Sequence, residues 1–219
     1  MLQLQSDGDL SLLVVQSTNE RRFRAMARYQ SNKHSTALTD ITDNGVMAII
    51  IETNAGDEPY QGLVSINSNS IAANLESYFN QSEQLQTMLI LRADNEQAAG
   101  ILLQVLPEAN IDDDDWQRLR HVAETLNLTE CKNTDNQTLI ARIFAEDDKT
   151  VYPPQSAAFA CTCSDERTLA MLASLDESEL QDIVDAEEPV TVSCDFCGKK
   201  YQHDAPTIAA LLSNKIHPN

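Results

Sequence analysis

The chain is predicted to be an α+β protein with a strand-rich N-terminal core, a helical linker and a small C-terminal domain. Three observations predict it. Short apolar runs with alternating character crowd residues 1–106. Apolar residues at helical spacing, on thinly apolar and highly charged segments, replace them over 107–160. Four of the five cysteines then fall in two tight pairs within the last 59 residues, 161–219.

In the first region, Leu10 to Val15, Phe23 to Tyr29, Val46 to Ile51 and Tyr60 to Ile66 read as strands. Phe23, Ala25, Ala27 and Tyr29 alternate along one of them. A helix is expected from about Ile71 to Asn80, with Leu75, Tyr78 and Phe79 on its buried side. Met88 to Leu91 and Ile101 to Leu106 read as closing strands before Pro107. No internal repeat is visible.

In the second region, Asp112 to Asp115 open a helix that carries Trp116, Leu119, Ala123 and Leu126. Acidic groups there complement the helix dipole. A shorter helix carries Leu139, Ile143 and Phe144, and Pro153-Pro154 breaks the chain. Helices this short are marginal by themselves, and an ordinary helical linker is the plain reading.

In the third region, Ser164 can cap a helix bearing Leu169, Leu172 and Leu175, and Asp176 with Glu179 forms a capping box before Leu180, Ile183 and Val184. Pro189 to Val192 reads as a strand leading to Cys194, and Asp204 with Pro206 starts a last helix through Ile208, Leu211 and Leu212. So few apolar side chains do not make a self-sufficient core. Something else must hold this piece together.

The formal net charge is −19, divided as −6, −6 and −7 over the three regions. No region offers the basic stripe that a phosphate backbone requires, which argues against nucleic-acid binding. No run reaches the roughly 18 apolar residues of a membrane span, and Met1 to Gln5 do not resemble a signal peptide. The chain is therefore expected to be cytosolic, and the sequons at Asn80, Asn127 and Asn136 are chance matches.

The cysteine pattern is Cys161-Thr162-Cys163, thirty residues, then Cys194-Asp195-Phe196-Cys197-Gly198. Two close thiolate pairs supply the tetrahedral set that Zn²⁺ binds at about 2.3 Å. Gly198 suits a knuckle in which backbone N–H groups point at sulfur. One zinc per reduced chain is expected on Cys161, Cys163, Cys194 and Cys197; the spacing does not match ferredoxin iron–sulfur patterns.

Such a site can be purely structural, its binding energy of about 10–16 kcal/mol acting as folding energy. It can also be a switch, because thiolates are what oxidants attack. If Cys194 and Cys197 paired, the metal would lose half its ligands. Spacing alone leaves both readings open. A thioredoxin-type catalytic pair is disfavoured, because Gly198 and a tyrosine-containing turn follow Cys197 and a second pair competes for metal. His203 is a spare candidate ligand for a site already complete, and Cys131 is isolated. His34, His121 and His217 lack a nucleophile nearby in sequence, phosphate-loop motifs are absent, and nothing supports catalysis.

The residues Cys161-Thr162-Cys163-Ser164-x-Glu166-Arg167, Cys194-x-Phe196-Cys197 and Lys200-Tyr201 resemble the redox switch of the 33 kDa chaperonin family, the redox-regulated heat-shock holdases. The likeness extends through Tyr60-Gln61-Gly62, Tyr78-Phe79-x-x-Ser82-Glu83-Gln84-Leu85, Gly100 to Gln104 and Leu106-Pro107, over essentially the whole chain. It implies an ATP-independent chaperone of the oxidative stress response, zinc-bound and inactive when reduced. Oxidation would form the disulfides Cys161–Cys163 and Cys194–Cys197, the second first by its less strained ring. Zinc would leave, the linker over 107–160 would unfold, and the chain, as a homodimer, would bind unfolding client proteins. Family members begin with a further stretch before the strand resembling Leu2 to Gln5, so the chain reads either as a truncated sequence or as one with a genuinely shortened core. The competing reading is a zinc-stabilised protein-interaction domain without redox switching.

Overall fold

The computed structural model describes residues 1–30, 35, 37–52, 58–107, 109 and 111–216, without the side chains of Asn214 and Ile216. His34 and His217 lie outside the described residues. The fold is α+β, as predicted. It divides into two compact units, one of residues 1–16 and 27–157, the other of 17–26 and 158–219.

The first unit is built on an antiparallel sheet with one crossover in its strand order. Strand β1 (Leu2–Gln5) lies between β2 (Leu10–Ser17) and β4 (Val46–Ile51), with Leu4 opposite Leu13 on one side and Met47 on the other. Strand β3 (Arg22–Tyr29) follows β2, and β5 (Tyr60–Ser65) closes the far edge against β4. Leu4, Leu10 and Leu38 form one small core with Ile66 and Ile71 against them.

Helix α1 spans Ile71–Tyr78, capped by the Ser70 hydroxyl, and then widens into a π-type turn over Phe79–Glu83 instead of ending cleanly near Asn80. Its fully buried residues are Asn74 and Tyr78, while Leu75 and Phe79 are only half-buried. Asn74 is tolerated because all its polar capacity is used. Its Oδ1 accepts from the N–H groups of Asn67 and Ser68, and its Nδ2 donates to the carbonyls of Ser68 and Ser70. Tyr78 packs against Gly62, where a Cβ would stand 2.2 Å from the ring. Only glycine admits it.

Strands β6 (Thr87–Ala93) and β7 (Ala98–Gln104) form a separate hairpin, with Ala93 opposite Ala98. The turn at Asp94–Gln97 sets that register, so β7 starts three residues before the expected Ile101 and stops before Leu106.

Helices α2 (Asp113–Glu124), α3 (Leu128–Asn133) and α4 (Asn136–Ile143) follow, each capped by an Asp or Asn carboxyl or amide oxygen. Sequence reading placed α2 and α4 and missed α3, which is too short to show a period. These helices do not stand alone. Trp116, Ala123 and Leu126 share a core with Met88 and Ile90 of β6, and Ile143 and Phe144 pack onto it. The isolated Cys131 lies against this cluster.

The second unit contains the β2–β3 turn, β8 (Ala158–Phe159), α5 (Asp165–Ala173), α6 (Glu177–Asp185), the hairpin of β9 (Val190–Ser193) and β10 (Lys200–His203), and α7 (Ala205–Ile216). β10 and β8 were not foreseen. Leu172, Leu180, Ile208 and Leu212 make its core. Four buried aliphatic side chains contribute about 1.5–3 kcal/mol each, little for a unit of this size. Among the described residues, no helix is long and apolar enough to cross a membrane.

Candidate metal centre

Local chemistry delivers each cysteine. Cys161 and Cys163 sit on the extended segment between β8 and α5, immediately before the Ser164 hydroxyl that accepts the Arg167 N–H at 3.2 Å. Cys194 and Cys197 occupy the tight turn between β9 and β10. That turn is closed by Cys194 N–H to the Lys199 carbonyl at 2.9 Å and Gly198 N–H to the Cys194 carbonyl at 2.8 Å. Gly198 takes φ +72°, as the knuckle expectation required, and a Cβ there would meet nothing within 4 Å. Its constraint is the backbone alone.

The two pairs converge. All four Sγ atoms lie within 4.8 Å of one another. Cys161 and Cys194 are 3.6 Å apart, and Cys163 and Cys197 are 3.5 Å apart. Four sulfurs bound tetrahedrally at about 2.3 Å would have edges of about 3.8 Å, so the donor set fits a tetrahedral thiophilic ion. Each of these two close contacts joins one knuckle to the other.

Electrostatics distinguish Cys161 from Cys197 as thiols. The Cys163 N–H is the largest cause of a Cys161 pKa lowered to about 6; neighbouring thiols add to it and burial opposes it. The Lys199 N–H favours the Cys197 thiolate, but the surrounding sulfurs and burial together push Cys197 up to about 12. Backbone N–H groups thus point at one sulfur in each knuckle, which favours the anionic, metal-binding form.

Beyond naming His203 as a spare ligand, sequence reading assigned no roles to the groups around the sulfurs. Tyr201, buried on β10, donates its hydroxyl to Cys163 Sγ at 3.1 Å. That bond pushes its own pKa up to about 12, so it remains a donor at neutral pH. Lys199 Nζ lies 4.8 Å from the Tyr201 ring centre. His203 is not a fifth candidate in practice. It is buried, its Nε2 lies 2.9 Å from Thr168 Oγ1, and its Nδ1 lies 4.0 Å from an Asp165 carboxylate oxygen. Because the Thr168 hydroxyl donates to the Asp165 carbonyl at 2.8 Å, it must accept from His203 Nε2–H. Period-2 spacing of Tyr201 and His203 on a short strand was the signal that they face inward.

The family model for the Hsp33 protein matches residues 1–204. A 33 kDa chaperonin of Shewanella sp. (strain ANA-3) is 36% identical over 219 residues, covering 100% of this chain and 76% of its own length. Another from Shewanella denitrificans is 38% identical over 214 residues, covering 97% of this chain and 74% of its own. The crystal structure of the 33 kDa chaperonin (heat shock protein 33 homolog) from Thermotoga maritima superposes with a TM-score of 0.78 at 20% identity. It covers 98% of this chain and 77% of that one. This last likeness is one of fold.

Proposed function

Because this chain belongs to the Hsp33 family, we propose that it is a redox-regulated, ATP-independent holdase of the cytosol, held inactive by zinc while reduced. Its relatives are named chaperonins, and the reading is of a protein that binds unfolding clients, not of an enzyme. The observation that carries it is the convergence of the two cysteine pairs on one tetrahedral-sized cluster.

A bound Zn²⁺ would cross-link the two knuckles by four bonds to Cys161, Cys163, Cys194 and Cys197 and supply most of the unit's folding energy. The rest is the chain's own chemistry. Two thiolates of one knuckle give up two electrons to one peroxide, which takes up two protons and leaves as two waters while the disulfide forms; a second peroxide does the same for the other knuckle. We propose Cys194–Cys197 followed by Cys161–Cys163. Losing thiolate ligands frees the ion, the small core cannot hold the unit folded, and apolar surface opens for clients. Helices α2 to α4 are the proposed linker, and the oxidised form is a homodimer.

The test is zinc content and free thiols on one sample before and after peroxide with mild heat, alongside aggregation of a heat-denatured client. Release of one zinc per chain, loss of four thiols and suppressed aggregation are expected. Zinc retained while Cys131 is modified would mean an interaction domain without a switch. Peptide mapping decides the pairing, since links between residues 161 or 163 and 194 or 197 would replace the proposed ones.

A further inference from the structure

We propose that Arg24, on the β2–β3 hairpin, is a positioning residue of the four-cysteine site, joining its two knuckles from outside the ligand set. The proposal rests on the metal-centre reading above.

The hairpin tip, residues 17–26, belongs to the same compact unit as residues 158–219. It is docked by main-chain bonds. Strand β8 pairs in parallel with β3, placing Ala158 beside Arg22 and Phe159 beside Phe23. The Ala158 N–H donates to the Arg21 carbonyl at 3.1 Å, and the Ala160 N–H to the Phe23 carbonyl at 2.9 Å. The segment entering Cys161 is therefore fixed against β3, and the next residue of β3 is Arg24.

Its guanidinium makes one contact to each knuckle. Nη1 donates to Thr162 Oγ1 at 2.8 Å, and Cζ stands 4.2 Å from the centre of the Phe196 ring. Thr162 separates Cys161 from Cys163, and Asp195 and Phe196 separate Cys194 from Cys197. One planar cation thus touches a residue between the cysteines of each pair, a geometry that suits Arg for its fork and its stacking face.

Charge gives the bridge its direction. Arg167 Nη1 also donates to Thr162 Oγ1, at 2.6 Å. Two guanidinium groups on one hydroxyl repel each other, and a negative cluster nearby offsets that repulsion. Four thiolates on a divalent ion carry a net charge of −2, and Arg24 and Arg167 set two positive charges beside the site through Thr162.

The test uses the full chain, reduced and zinc-loaded, with a chromogenic zinc chelator in excess and the rate of metal transfer as readout. Arg24→Ala is expected to lose zinc about tenfold faster than wild type, from the stacking and charged hydrogen bond together. Phe196→Leu should match it, and the double variant should be no faster than either. Arg24→Lys, which keeps a cation over the ring, should stay within about threefold of wild type, whereas Arg24→Gln should resemble Ala. A variant that lost only fold support would not separate Lys from Gln. Wild-type rates in Arg24→Ala and Arg24→Gln, or multiplied effects in the double variant, would overturn the role of Arg24 alone. A reduced wild-type chain that binds no zinc would overturn the metal-centre reading itself.

Discussion

One guanidinium nitrogen of Arg120, Nη2, is shared between the two carboxylate oxygens of Glu76, at 3.1 and 3.0 Å. The same carboxylate accepts the Leu89 N–H at 2.7 Å. It thereby ties α2 to α1 and β6 at once. Arg120→Ala should weaken the docking of α2 by about 1 kcal/mol, because the pair is partly screened. Glu76→Ala should cost more, about 1–3 kcal/mol, since it also strands a backbone donor. Denaturant unfolding followed by fluorescence checks both; equal losses would contradict the three-way arrangement.

Trp116 is the chain's single tryptophan, and it is buried among Met88, Ile90 and Leu126. Its emission therefore reports α2 packing directly. Peroxide at mild heat should shift it to the red along with zinc release if the helices let go, and leave it unmoved if they do not. Leu126→Ala should favour release, losing about 2–5 kcal/mol of packing.

Acid should loosen the same helices. The Thr138 N–H and then its hydroxyl hold the Asp135 carboxyl below its usual range, and Arg118 does so for Asp147. A carboxyl with a depressed folded pKa contributes stability that is complete above its unfolded value, about pH 4, and is lost as pH falls through the folded value. Trp116 emission titrated downward from about pH 5 should show that loss, and Asp135→Asn with Asp147→Asn should flatten it.

Tyr201→Phe removes the hydroxyl from Cys163 without changing the ring's packing. A lost bond of this kind costs about 1 kcal/mol. The reduced, zinc-loaded variant should therefore pass its zinc to an excess of chelator about fivefold faster than wild type. An unchanged rate would show that the hydrogen bond does not steady that ligand.

Gly198→Ala should weaken zinc binding by about 1–2 kcal/mol through backbone strain alone, because the space around the missing Cβ is open. Gly198→Asn should be milder, since asparagine visits the left-handed region more readily. Competition titration with a chelator measures the order Gly, Asn, Ala; a different order would place the constraint elsewhere.

The clustering of the four cysteines was legible because thiolate metal sites draw on local pairs, and local pairs survive in a linear sequence. The same holds for capping, where Ser164, Asp112 and the Asp176–Glu179 box all stand where short-range rules put them. Asn74 was not legible, since its burial depends on a loop seven residues back that it satisfies by side-chain bonds. Nor was β8, a two-residue strand that pairs with a partner distant in sequence. Arg24 reads in sequence as one more polar position on an alternating strand. Its role depends on a contact 138 residues away, and periodicity carries no information at that range.

That separation also has a temporal side. During synthesis the hairpin tip emerges early, while Thr162 and Phe196 are still untranslated. At about 5–20 residues per second the wait is on the order of 10 s. For that interval the outer end of β3 is an open strand edge, and it stays open until β8 emerges to pair with it.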